Sequence, residues 1–342
     1  MMAEEAARAG RPTLDLPAGV EPGLRFAVVL DGRGGCVELD WQGVATWKPE
    51  QGFLWVHLER DAPEAQAWVM GPSGIDPLIA EALIAEDSRP RVEHIDDALL
   101  LILRGINLAP GSSLQLVPLH VWIMPSRALT LRDKTHALSA LRDIRIALKN
   151  GRGPRGPGGL LGQIADKMVR DLDPVLEEME DEVEGLEEEI IGTAMGELRR
   201  EIADIRRRAI HLRRYLGPQR DALYQLRNED TTMLDKRDRM RLRGVIDSLV
   251  RHIEDLDAIR DRTSLLHDDL AAMISEKIAR TTYRFTAIAG LLLPPSLVAG
   301  LLGANIGGIP GQENPDAFFE LAGLIVFLLG VQALILRRMG WI

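Results

Sequence analysis

The chain has 342 residues, a formal net charge of −10 and one cysteine, Cys36. The length is too great for one ordinary domain, and the acidic balance excludes a duplex nucleic-acid partner, which requires a basic face to displace phosphate counterions. A single cysteine excludes an intramolecular disulfide and a thiolate zinc cage, and it fits a reducing compartment.

Residues 1–24 open with MMAEEAARAG, which has charges at Glu4, Glu5 and Arg8 and lacks the apolar stretch of a signal peptide. They read as a disordered lead. Residues 25–150 read as an α/β domain. Short β-type runs at Phe26–Leu30, Cys36–Asp40 and Phe53–Leu58 are punctuated by glycine and proline. A helix follows around Asp76–Glu86, then β-type runs at Ala98–Asn107, Leu116–Met124 and Ala128–Arg132, and a helix capped by Thr135 that reaches about Lys149. No phosphate-binding glycine fingerprint follows any of these runs.

The stretch 151–159, GRGPRGPGG, reads as a linker or exposed turn, because its glycines and prolines disfavour both helix and ladder. In 160–234 the apolar period changes to about 3.5. One stripe runs through Leu161, Ile164, Met168, Leu172, Val175, Met179, Val183, Leu186 and Ile190, on a helix expected to end near Gly192. The other face of that helix is acidic between Asp171 and Glu189. The next segment, Glu197–Arg227, is arginine-rich and carries its own stripe of Leu198, Ile202, Ile205, Ala209 and Leu212. An antiparallel helical hairpin is predicted, held by its apolar seam, since exposed ion pairs contribute only about 0–1 kcal/mol each. The acidic face reads as a solvated surface, with a low-affinity cation reservoir as the alternative.

Periodicity resumes through Leu242, Ile246, Leu249, Ile253, Leu256, Ile259, Leu266, Leu270, Met273 and Ile278, with no proline before Pro294-Pro295. A single helix of roughly 100 Å is predicted, a stalk over 235–284 that continues into an uncharged run over 285–304. That run matches the roughly 20 residues a helix needs to cross hydrocarbon. The loop 305–316 contains Glu313 and Asp316, a second span covers 317–336, and 337–342 form a tail. Arg280 and Arg284 precede the first span, Arg337 and Arg338 follow the second, and the loop has no cation. The positive-inside rule therefore puts both ends in the cytoplasm, as expected for a multi-pass protein of the cell inner membrane.

A Gly303-Ala304-Asn305 sequence ends the first span and runs into Gly307-Gly308-Ile309-Pro310-Gly311. With the long stalk and the two-span C-terminus, this resembles the CorA family of divalent metal ion transporters, in its ZntB branch. Trp55-Val56-His57-Leu58, Arg89-Pro90-Arg91-Val92-Glu93, Arg104-Gly105-Ile106-Asn107, Tyr215 to Arg220 and Glu254 to Arg260 carry the resemblance across nearly the whole chain. Two departures are Ala279, where members often have Asn, and the doubled Pro294-Pro295.

The resemblance implies a CorA-like funnel, a membrane protein with an α/β N-terminal cytoplasmic domain, long stalk helices and two C-terminal transmembrane helices, assembled as a homopentamer around a central pore. It implies Asn305, Gly303 and Ala304 at the ion-recognising mouth, and favours the face Thr282, Phe285, Ala289, Leu293, Ser296 and Gly300 as pore-lining over the face Asn305, Leu301 or Leu302, Val298 and Leu291. A αL helix cap is the alternative role for Asn305. Glu313 and Asp316 would concentrate cations at the entrance. His267, Asp268 and Asp269 form a candidate cytoplasmic cation-sensing site between subunits.

No His, Cys, Asp or Glu lies between Phe285 and Gly311, so the wall lacks the ligands that bind zinc tightly. The expected cargo is a hydrated divalent cation, zinc, with magnesium or other divalent cations and coupling to protons as alternatives. No catalytic residue or cofactor is expected, and the partners are lipid, divalent cations and copies of the chain. A membrane-anchored scaffold is the alternative of another class.

Overall fold

The computed structural model describes residues 23–86, 89–107, 116–134, 138–189, 195–304 and 314–338. Thr135 and residues 1–22 of the expected lead lie outside them. The chain divides into two compact units, one within residues 1–192 and 200–264, the other within 193–199 and 265–342.

The first unit is built on a seven-stranded sheet ordered β2-β1-β3-β7-β6-β5-β4, formed by β1 (Leu24–Leu30), β2 (Cys36–Leu39), β3 (Phe53–Glu59), β4 (Arg91–Ile95), β5 (Ala98–Ile106), β6 (Leu116–Ile123) and β7 (Arg127–Arg132). Only β3 and β7 pair in parallel. All nine residues of β5 are buried, which accounts for its uninterrupted apolar run, since a strand covered on both faces has no reason to alternate. On one face α2 (Pro63–Met70) and α3 (Pro77–Ile84) set Ala65, Val69, Ala80 and Leu83 into a core with Val56, Leu58, Leu100, Leu129 and Leu131. α4 (Ser139–Lys149) packs on α5 (Pro157–Arg170), and α5 packs on β5. Gly105 is required there, because a Cβ would press into the Leu138 and Met168 side chains at 2.8 and 3.0 Å.

Three sequence expectations are corrected. The stretch 151–159 is a turn only as far as Gly156, because α5 begins at Pro157. Proline is accommodated in a first turn, where its missing N–H has no intrahelical partner. A side chain at Gly158 would collide with the Met233 carbonyl and the Asp238 carboxylate. The single helix expected from Leu161 to about Gly192 is two, α5 and α6 (Asp173–Glu189). Pro174 has no N–H for the Arg170 carbonyl, yet the apolar period persists across the break, with Met168, Leu172, Val175, Met179, Val183 and Leu186 all buried. The first strand also starts at Leu24, inside the expected lead.

α6 and α7 (Met195–Asn228) form the predicted antiparallel hairpin, joined by the Arg208–Glu182 ion pair. A third helix, α8 (Lys236–Leu302), completes the layer. Arg213 of α7 holds Asp257 at 3.2 Å, His252 Nε2 meets Asp173 of α6 at 2.7 Å, and Arg262 meets Glu187 at 2.7 Å. Several stretches that carry the resemblance are clasps within this unit. The Arg104 backbone N–H donates to Gln219 Oε1 at 2.6 Å, and its guanidinium lies 4.2 Å over the Tyr215 ring, a cation–π contact.

α8 is a single 67-residue helix, as its uninterrupted period predicts. Leu242 through Leu270 of the stripe are buried, whereas Ile278 is 61% exposed. In the second unit, α9 (Ala317–Arg338) is the remaining long apolar helix among the described residues. The most apolar windows of α8 and α9 have mean hydropathies of 1.9 and 2.3 but are only 11% and 0% buried within the protein. A core helix of a soluble domain would be covered; these expose Phe285, Leu293, Leu297, Phe318, Phe319 and Phe327. Such surface is stable in hydrocarbon.

Candidate ion-conduction site

The membrane end of α8 has two distinct sides. At about 100° per residue, Thr282, Phe285, Ala289, Leu293, Ser296 and Gly300 fall within an arc of about 80°, and all six are exposed. Ala287, Leu291, Pro295 and Val298 form the opposite side and are buried or half-buried. Of the two faces read from the sequence, one has Leu291 and Val298 half-buried, Leu301 and Leu302 exposed and Asn305 outside the described residues, and the other is exposed at all six positions.

Hydroxyl groups along α8 differ in use. Thr281 Oγ1 donates to the Lys277 carbonyl at 2.8 Å and Thr286 Oγ1 to the Thr282 carbonyl at 2.9 Å. The side chains of Thr282 and Ser296 make no such back-bond among the described residues, so their oxygens remain available to water. The doubled proline withholds two donors, leaving the Gly290 and Leu291 carbonyls without their i+4 partners, yet α8 stays helical to Leu302.

At its end the Gly303 N–H donates to the Ala299 carbonyl at 2.8 Å, and a Cβ on Gly303 would stand 2.9 Å from that same oxygen. Ala304 is half-buried. Asn305 and Glu313 lie outside the described residues. Asp316 is exposed; its N–H donates to Asn314 Oδ1 at 3.0 Å and its carbonyl accepts from Phe319 and Glu320 at the start of α9. Its carboxylate is therefore not consumed by capping.

Lower on α8, His267 is half-buried and Asp268 and Asp269 are exposed. Among the described residues no group of three or more His, Cys, Asp or Glu side chains is arranged to hold a metal within one chain. One polar residue of the second span was not singled out in the sequence. Gln332 has a buried Oε1 without a hydrogen-bond partner among the described residues. Its signal was its lone amide amid apolar neighbours in Phe327–Leu336.

The family profile "CorA-like Mg2+ transporter protein" matches residues 50–338. Over 330 residues the chain is 33% identical to a divalent cation transporter, CmaX, of Pseudomonas aeruginosa, covering 95% of this chain and 98% of that protein. Over 322 residues it is 33% identical to the zinc transport protein ZntB of Pectobacterium carotovorum, covering 94% and 96%. The structure of full-length CmaX superimposes with a TM-score of 0.80 at 32% identity, covering 95% of this chain and all of that one. The CorA magnesium transporter of Methanocaldococcus jannaschii shares the fold, with a TM-score of 0.79 at 22% identity, covering 92% and 98%.

Proposed function

Since the chain belongs to the CorA family of divalent cation transporters and is a membrane transporter, not an enzyme, we propose that it conducts hydrated zinc through a central pore lined by the Thr282–Gly300 face of α8. The observation that carries this reading is the free face itself. Six residues at pore-compatible spacing are exposed, while on the opposite side Ala287 and Pro295 are buried and Leu291 and Val298 half-buried.

Two apolar helices cannot enclose a water-filled path, so copies must close a ring, and the homopentamer is the state this reading adopts. Ser296 and Thr282 then offer hydroxyl oxygens to the water around the ion. Phe285 and Leu293 supply apolar constrictions that gate by dewetting. Rings of Asn305, with the backbone freed by Gly303 and Ala304, recognise the hydration shell at the mouth, and Glu313 and Asp316 raise the local cation concentration over about 8–10 Å. Both termini lie in the cytoplasm and the membrane is the cell inner membrane, because the cations flank the spans on that side. His267, Asp268 and Asp269 become a cytoplasmic sensing site only where neighbouring subunits meet, since one chain offers no cluster.

A wall without carboxylate, imidazole or thiolate discriminates weakly between zinc and magnesium, which favours a broad divalent channel as the second reading. The membrane-anchored scaffold is set aside by the family relationship.

Purified protein in liposomes loaded with a zinc-sensitive dye decides among these. The reading predicts saturable zinc entry, with magnesium competing in the same concentration range. Entry that accelerates with an inward proton gradient establishes coupling, and entry indifferent to pH removes it. Absence of any divalent flux would contradict the reading.

A further inference from the structure

Away from the membrane spans, the first unit carries a basic cavity of 480 Å3 that cation conduction does not use. Five guanidinium groups line it: Arg33 from the β1–β2 turn, Arg152 and Arg155 from the turn before α5, and Arg237 and Arg241 from the first turns of α8. A backbone bond from the Gly153 N–H to the Gly34 carbonyl, 2.8 Å, holds the first two segments together.

In a chain with net charge −10, five guanidinium groups in one cavity stand out against only two carboxylates in the same wall. Some arginines elsewhere in the unit are paired, as in Arg145–Glu38, Arg213–Asp257 and Arg262–Glu187. Among the described residues none of the five forms an ion pair. Two carboxylates, Asp235 and Asp238, share the wall but are engaged with each other's backbone. The Asp238 N–H donates to Asp235 Oδ1 at 2.7 Å, and the Asp235 N–H to Asp238 Oδ2 at 3.4 Å. Burial, the largest influence, pushes the Asp238 carboxyl above its ordinary pKa, and the Arg241 charge on the same wall opposes that shift. Five guanidinium groups against two carboxylates leave the cavity with an excess of positive charge.

The start of α5 forms part of the same wall and adds to the positive potential. Its cap, Gly156, offers no side-chain acceptor, so the first amides of the helix are uncapped.

We propose that this cavity binds the polyphosphate group of a soluble cytoplasmic anion. Guanidinium forks match phosphate oxygens, and the volume lies within the roughly 300–1,000 Å3 of small-molecule sites. No aromatic side chain lines the cavity, so the phosphate chain is read and a base is not. Nucleoside triphosphate and inorganic tripolyphosphate should therefore bind alike, and single orthophosphate much more weakly. The site is independent of the conduction pathway.

Titration calorimetry of the full-length protein in detergent with inorganic tripolyphosphate, pyrophosphate, orthophosphate and ATP tests the proposal. The expected result is saturable binding of tripolyphosphate and ATP with similar affinity, weakened by about tenfold or more in Arg155→Glu/Arg237→Glu. Both side chains are exposed, and the single Arg237→Ala, expected to weaken binding in the same direction, covers the case in which charge reversal perturbs folding. No binding of tripolyphosphate at millimolar concentration would overturn the proposal. So would binding of ATP alone, equal binding of orthophosphate, or affinity unchanged in the variants.

Discussion

Replacing Asn305 by alanine is expected to lower divalent cation flux by about tenfold or more while the protein still assembles and inserts normally. The argument rests on what the rest of the conduction face lacks. Between Phe285 and Gly311 there is no carboxylate, imidazole or thiolate, so an ion entering the proposed pore would keep most of its water, and the polar groups able to order that water would be few. In the proposed pore Asn305, two residues past Gly303 in the sequence, would contribute an amide carbonyl. A ring of alanines would present only methyl groups, and losing a hydrogen bond to the ion's water from each copy, about 0.5–1.5 kcal/mol apiece, corresponds to a tenfold or larger effect on entry. Asn305→Asp separates recognition from capping. It retains a short αL-tolerant residue and adds charge, so ion affinity should rise and turnover fall. If Asn305 served only as a helix cap, Asn305→Ala would lower thermal stability and leave flux per assembled protein unchanged.

Acidification is expected to destabilise the sheet domain between about pH 6.5 and 4, through two buried histidines. His57 is 3% exposed, and burial above all, with the Arg132 charge second, pushes it down to about 3. His120 is fully buried and likewise pushed down, mainly by burial, to about 4. Both use Nδ1 within the fold. That of His57 lies 2.9 Å from Thr130 Oγ1, and that of His120 lies 2.6 Å from the Leu83 carbonyl. The unfolded chain protonates each near 6.5 while the folded chain does not, so the unfolded state binds more protons throughout this window. Stability is therefore complete above about pH 6.5 and falls as pH drops toward the folded values, by up to about 1.4 kcal/mol per pH unit for each histidine. Thermal unfolding at pH 7.5 and 5 measures the loss. His120→Asn keeps a donor for Leu83 but cannot be protonated, and should reduce the pH dependence. An unchanged slope in that variant would place the acid sensitivity elsewhere.

Long periodic stretches were readable from the sequence. The apolar stripe of α8 shows through 67 residues because every turn buries the same side, and β5 is legible because it is covered on both faces. The elements that escaped are short or polar. α1 (Trp41–Thr46) buries only Val44, and β4, at the sheet edge, buries only Val92 of Arg-Val-Glu-His-Ile. The Asp171-Leu172 break was hidden because the stripe kept its phase across it. Along the membrane end of α8, spacing alone left two candidate sides, because a helix of nearly uniform apolar residues carries no polar contrast between them. The arginine cavity was illegible because its walls come from residues 33, 152–155 and 237–241, which no local pattern joins. Gln332 was passed over because one amide barely alters the hydropathy of a span.

The claim that one face of α8 lines a water-filled path is tested most directly by cysteine accessibility. Cys36 is the chain's only cysteine, so Cys36→Ser gives a clean background for single cysteines from Thr282 to Gly300. Reaction with a charged thiol reagent in liposomes should be fast, and should block flux, at positions 282, 289, 293, 296 and 300, and slow at 287, 291 and 298. Fast reaction and block at 291 and 298, with positions 289, 293 and 296 inert, would contradict the account.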